Sequence, residues 1–270
     1  MNEKVLIQLA ESLAQEHSRQ GGGGDPVRAF NDYDVIYIED DFDDDFEGLL
    51  RYKDSEFQVF VNTGCQHSRT VGRKYFTAAH ELGHFTIPQH REDIRNGTGL
   101  HKSVTGFESK LPMEREADIF ASHFLIPSNV LINHCGTGAW GAKEILDVAA
   151  YFQTSVTCAA LRCQTTLPGN STLIAWTPQK VRWQRMNRDL WFELPARTIR
   201  TFDQLLKGSA TERLLNGEKA GVMGYLQAGT TRSSWFPRIA PWSSTNDLLI
   251  EEAIPLGQYG VLTLLRPDIY

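Results

Sequence analysis

His80, Glu81 and His84 stand in the order H-E-x-x-H within FTAAHELGHF, residues 76–85. On a helix, side chains four apart share one face, so both imidazoles can reach a single metal ion while Glu81 sits one residue round, beside it. Two nitrogen ligands and a nearby carboxylate suit a catalytic zinc site, which needs a base for metal-bound water. The flanks Phe76, Ala78, Ala79, Leu82, Gly83 and Phe85 are apolar or small, as in a helix buried in a core. A chance meeting of three such residues on an ordinary helix is the competing explanation, and the apolar setting weighs against it.

The rest of the chain must position that helix. Its 270 residues are enough for one large domain or two small ones. Hydrophobic residues at 41% and charged residues at 22% fit a soluble globular protein. A net charge of −6 argues against a general nucleic-acid binder. Cys65, Cys135, Cys158 and Cys163 form no C-x-x-C pair and read as thiols in a reducing compartment. No apolar run approaches a membrane span, and the charged N-terminus has no signal-peptide pattern. The expectation is a cytoplasmic protein with no membrane partner.

Residues 3–17 read as an amphipathic helix, ended by GGGGDP at 21–26, which is expected to be a flexible loop. A short strand is expected around 35–38, followed by a solvated acidic turn at 40–48 without the ligand alternation of a calcium loop. Residues 49–52 and 56–62 read as a hairpin turning at 53–55. An exposed strand edge beside the metal helix would suit an extended peptide. Pro88 should end the metal helix, residues 89–109 should be an irregular loop, and a second helix should start near Pro112.

Three residues compete to be the third ligand. His90 lies six after His84, the spacing of H-E-x-x-H-x-x-G-x-x-H, but Ile87 stands where that pattern has glycine. Glu114 and Glu116 point to different faces of the second helix, and geometry prefers Glu114 only mildly. Asp118 shares the Glu114 face and could orient a ligating histidine from outside. Candidate oxyanion donors are His101, His123 and Tyr151.

Residues 141–163 read as two short helices around 153–155. The second offers only Arg162 as a basic contact, so a structural helix pair is favoured over a DNA reader. Beyond the turn at 166–172, strands are expected at STLIAW, DLWFEL, AGVMGYLQ, NDLLIEEAIPL and YGVLTLLRP, with a helix near 201–207. Five tryptophans there could pack a core or line a groove.

HELGH, followed about thirty residues later by EREADIFASHFLIP at 114–127, resembles the ImmA/IrrE family of metallopeptidases. The resemblance covers roughly residues 1–165, and the long segment between His84 and Glu114 departs from the common pattern. It implies an α+β chain: a zincin-like domain over 1–168, including the helix pair, then a smaller β-rich domain over 169–270. It also implies a zinc-dependent endopeptidase with His80, His84 and Glu114 as ligands and Glu81 as general base. The implied substrate is a cytoplasmic protein such as a helix-turn-helix repressor, cut in a stress or mobile-element response. The alternative is a non-catalytic metal-dependent regulator or protein-binding module, against which the intact Glu81 argues.

Overall fold

The computed structural model describes residues 1–43, 46–64, 70–97, 101–103, 111–187, 205–236 and 248–268. It is an α+β protein that divides into two compact units, Met1–Gly136 with Val148–Arg162, and Thr137–Asp147 with Cys163–Tyr270. This differs from a single cut after residue 168. Residues 137–147 join the C-terminal unit because polar groups there find partners in it. The Glu252 carboxylate accepts the Ala142 N–H at 3.1 Å, and the Trp140 indole donates to the Pro168 carbonyl at 3.0 Å.

The first unit starts with α1 (Glu3–Glu16), capped by the Asn2 side chain, with Leu6, Ala10, Leu13 and Ala14 buried. The glycines after it are ordered rather than flexible. The Gly24 N–H donates to the Phe124 carbonyl at 2.9 Å, and a Cβ on Gly24 would lie 2.5 Å from the Phe124 ring. Gly23 and Gly24 supply close backbone packing, whereas Gly21 and Gly22 take the positive φ that glycine allows. They lead into α2 (Pro26–Asp32), which sequence reading missed although Asp25 caps it and Pro26 begins it.

Next come β1 (Ile36–Asp40), β2 (Gly48–Lys53) and β3 (Glu56–Asn62). Asp54 and Ser55 both take positive φ between β2 and β3, as a two-residue hairpin loop requires. The sheet order is β1-β3-β2-β4, with β4 at His101–Ser103. β3 is therefore internal, paired parallel to β1 and antiparallel to β2, rather than the exposed edge expected beside the helix. The acidic turn closes on the buried Asn62, whose amide donates to the Asp43 and Phe46 carbonyls at 2.6 and 2.7 Å.

α3 (Val71–Thr86) buries every residue from 76 to 85 and packs on α5 (Pro112–Leu125), β2 and β3. It stops where Pro88 predicts, but the chain restarts at once as α4 (Pro88–Arg95) where a loop was expected. Proline at a first-turn position starts helices as readily as it ends them, and α4 buries only His90 and Ile94, too little to show as a periodic pattern. α6 is Ser128–Cys135, α7 is Ala142–Tyr151 and α8 is Val156–Thr166. Arg162 on α8 is 2% exposed and bonds the Ile126 carbonyl, His123 and Ser128, so it presents no charge outward.

A polar cluster joins α1, α5, α6 and α8. The Glu11 carboxylate accepts from His123 Nδ1 at 2.8 Å, from the Ser128 hydroxyl at 2.6 Å and from the Ser128 N–H at 3.1 Å. Burial opposes its charge, but those hydrogen bonds hold its pKa down at about 2. A depressed carboxylate adds stability that is fully present above its unfolded pKa of about 4.3 and is lost as pH falls towards the folded value. Urea midpoints of wild-type protein should therefore fall between about pH 4.3 and pH 2, and Glu11→Gln should flatten that part of the profile. An unchanged profile would mean that the cluster contributes nothing there.

The second unit is a five-stranded antiparallel sheet in the order β6-β5-β9-β8-β7. Its strands are β5 (Thr172–Trp176), β6 (Val181–Met186), β7 (Leu226–Thr231), β8 (Leu248–Pro255) and β9 (Val261–Pro267). α9 (Ala210–Leu215), capped by Ser209, lies on it. The sequence places a helix near 201–207. Residues 205–208 are non-helical, and 201–204 lie outside the described residues. AGVMGYLQ is mostly turn, with Gly221 and Gly224 at positive φ, and β7 begins only at Leu226. DLWFEL, Trp191 and Trp242 also lie outside the described residues, as does Cys65. Trp176 and Trp235 are buried and pack edge to face, so they form core rather than groove. Among the described residues, Cys135, Cys158 and Cys163 form no disulfide with one another.

Candidate metal centre

α3 and α5 carry the site between them. Gly83 lets them approach, because a Cβ there would sit 3.1 Å from the Phe120 ring and 3.3 Å from Ala117 Cα. His80 Nε2 lies 3.1 Å from His84 Nε2 and 3.3 Å from Glu114 Oε2, while His84 Nε2 lies 3.4 Å from Glu114 Oε1. Both histidines are buried and Glu114 is 9% exposed. Ligand atoms about 2.0–2.1 Å from a tetrahedral zinc ion are about 3.3 Å from one another, so this triangle has the size such an ion needs. Among the described residues it is the group of histidine, cysteine and acidic side chains whose ligand atoms converge closely enough to hold a metal ion.

The surroundings set the tautomer. His80 Nδ1 lies 3.0 Å from Asp118 Oδ1. A carboxylate can only accept, so that nitrogen carries the proton and Nε2 faces the triangle. Burial works against a charged His80, yet hydrogen bonds to Asp118 and Glu114 and the charges of Asp118 and Glu81 push it up to about 10. Burial pushes His84 down to about 3, and the neighbouring His80 charge adds to that. Burial favours a neutral Glu114, but hydrogen bonds from His80 and His84 hold its carboxyl well below the usual range.

Glu81 is fully buried on α3 against β2. A Cβ on Gly48 would fall 2.4 Å from Glu81 Oε1 and 2.6 Å from Thr77 Cγ2. The bare backbone of β2 at Gly48 therefore leaves room for that carboxylate, a role that Gly48 does not advertise in sequence. The preceding residue fixes β2 to the same helix, since Arg73 Nη2 donates to both Glu47 carboxylate oxygens at 2.8 and 2.6 Å.

The other candidates are engaged elsewhere. His90 Nε2 lies 2.9 Å from Glu116 Oε2, so the two competitors for third ligand pair with each other, and the Met1 ammonium also bonds Glu116. The His90 ring packs 5.1 Å from that of His84 without joining the triangle. His123 is held by Glu11 and Arg162, and Tyr151 stacks on His134. Neither belongs to the triangle. The side chain of His101 lies outside the described residues.

Comparison with known proteins gives two findings. Residues 41–164 match the family model described as Peptidase_M78, the IrrE N-terminal-like domain. A solved structure described as a Mycobacterium tuberculosis transcriptional regulator shares the fold with a TM-score of 0.60 at 14% identity, covering 97% of this chain and 76% of that one. No curated protein matches the chain.

Proposed function

Because residues 41–164 carry an ImmA/IrrE-family domain, we propose that this chain is a zinc-dependent metalloendopeptidase that cuts a cytoplasmic regulatory protein, such as a helix-turn-helix repressor, in a stress or mobile-element response. The observation that carries the reading is the buried triangle of His80, His84 and Glu114 with the Glu81 carboxyl one residue from a ligand. Among the described residues, no helix is long and apolar enough to cross a membrane.

In this reading His80, His84 and Glu114 hold the metal, and Asp118 holds His80 in the tautomer that offers Nε2. A bound zinc would supply the Lewis acidity that brings the pKa of a water towards neutrality. Glu81 takes the proton of the attacking water and returns it to the leaving amine, two jobs a single carboxylate can do in sequence. A metal sensor would need the triangle but not a buried carboxylate beside it.

Purified chain should carry about one zinc ion, lost on dialysis against a chelator. Metal analysis that finds no zinc after reconstitution would contradict the reading. Gly48→Ala provides a second check. The added Cβ must displace the Glu81 carboxylate, so cleavage should fall by about tenfold or more with zinc content unchanged. Full activity in that variant would show that Glu81 works from another position.

A further inference from the structure

Between α4 and α5, residues 101–103 pair with the sheet. β4 pairs antiparallel with β2 in the register Gly48↔Ser103, Leu49↔Lys102 and Leu50↔His101. This places residues 101–103 along the outer edge of β2, on the side away from β3. The edge is not remote from the chemistry. Gly48, at one end of the pairing, is the residue whose Cβ would strike the Glu81 carboxylate. Leu50, at the other end, is fully buried. Without β4, β2 would offer a row of backbone donors and acceptors leading past Glu81, the feature that binds extended peptides by strand addition. The pairing is also short, three residue pairs against the six that join β2 to β3, so few ladder bonds hold it.

We propose that β4 is an internal competitor for the substrate edge, so that an extended peptide reaches the site in antiparallel register with β2 only by displacing residues 101–103. This rests on the peptidase reading of the same site. Unpaired, the edge would be open to any extended chain. Paired with β4, it admits chains that bind strongly enough to exchange strands. The segment would thus limit cleavage to preferred partners without touching the metal ligands.

Consecutive residues of an antiparallel strand turn their N–H groups alternately towards and away from the partner. One of Lys102→Pro and Ser103→Pro must therefore remove a ladder donor. Hydrogen exchange on the full chain should show lost amide protection at residues 48–50 in one of the two variants, with α3 and α5 unaffected. The zinc-loaded proteins should then be titrated with a tripeptidyl hydroxamate, which binds metal and extends along the edge, and with acetohydroxamate, which binds metal alone. The variant that loses protection should bind the tripeptidyl compound about tenfold more tightly, the equivalent of roughly one net hydrogen bond, with acetohydroxamate unchanged. Equal tripeptidyl affinity in that variant and wild type, or full protection in both variants, would overturn the proposal. Failure of acetohydroxamate to bind any zinc-loaded form would instead bring down the peptidase reading, and the proposal with it.

Discussion

Glu81→Gln will keep its zinc and lose peptide-bond cleavage by at least about a hundredfold, the lower end of what a positioned general base contributes. The amide has nearly the shape of the carboxylate, so the buried space between α3 and β2 that accommodates Glu81 stays filled. What disappears is a group able to take a proton from water and pass it on. Zinc content measured on the same preparation separates this loss from loss of the metal. Cleavage at the wild-type rate by a zinc-loaded Glu81→Gln protein would remove the base from the mechanism. The metal would then have to act without it, or the cleavage would belong to a contaminant.

The second large effect concerns the third ligand. If binding free energy on the order of 10 kcal/mol is shared among three protein ligands, each is worth roughly 3 kcal/mol, or about a hundredfold in affinity. Glu114→Ala should therefore weaken zinc binding by about a hundredfold, as should His84→Ala. Glu116→Ala and His90→Ala should leave it near wild type, because those two side chains satisfy each other at 2.9 Å outside the triangle. Asp118→Ala should fall between, at about 10–100-fold, the range for a group that orients a ligating histidine. Competition with a chromogenic chelator measures all of them on one scale. A larger loss for His90→Ala than for Glu114→Ala would mean that the metal is held from α4.

Which parts of this arrangement could be read from the chain follows from the range of the forces involved. The four-residue step from His80 to His84, and from Glu114 to Asp118, is a property of one helix and needs nothing else. The helix ends at Asn2, Pro88 and Pro112 are also local, because capping and proline chemistry act over three or four residues. The choice between Glu114 and Glu116 is not local. It depends on how α5 rolls against α3, which the close contact at Gly83 permits and no periodicity reveals. The same holds for β3, whose hairpin with β2 was legible while its parallel partner β1, some twenty residues upstream, was not. The packing of Gly24 against the Phe124 ring is not local either, because composition speaks for the chain's freedom and not for its tertiary neighbours. α4 was missed because it is mostly exposed and carries no apolar stripe.

The central claim is that this chain hydrolyses a peptide bond in another protein. Quantifying new protein N-termini in cells expressing either wild-type protein or Glu81→Gln at equal levels tests it most directly. The account predicts a small set of new termini, within one or a few regulatory proteins, present with the wild type and absent with the variant. The same termini in both cells under every stress applied, or none in either while both proteins carry zinc, would contradict it.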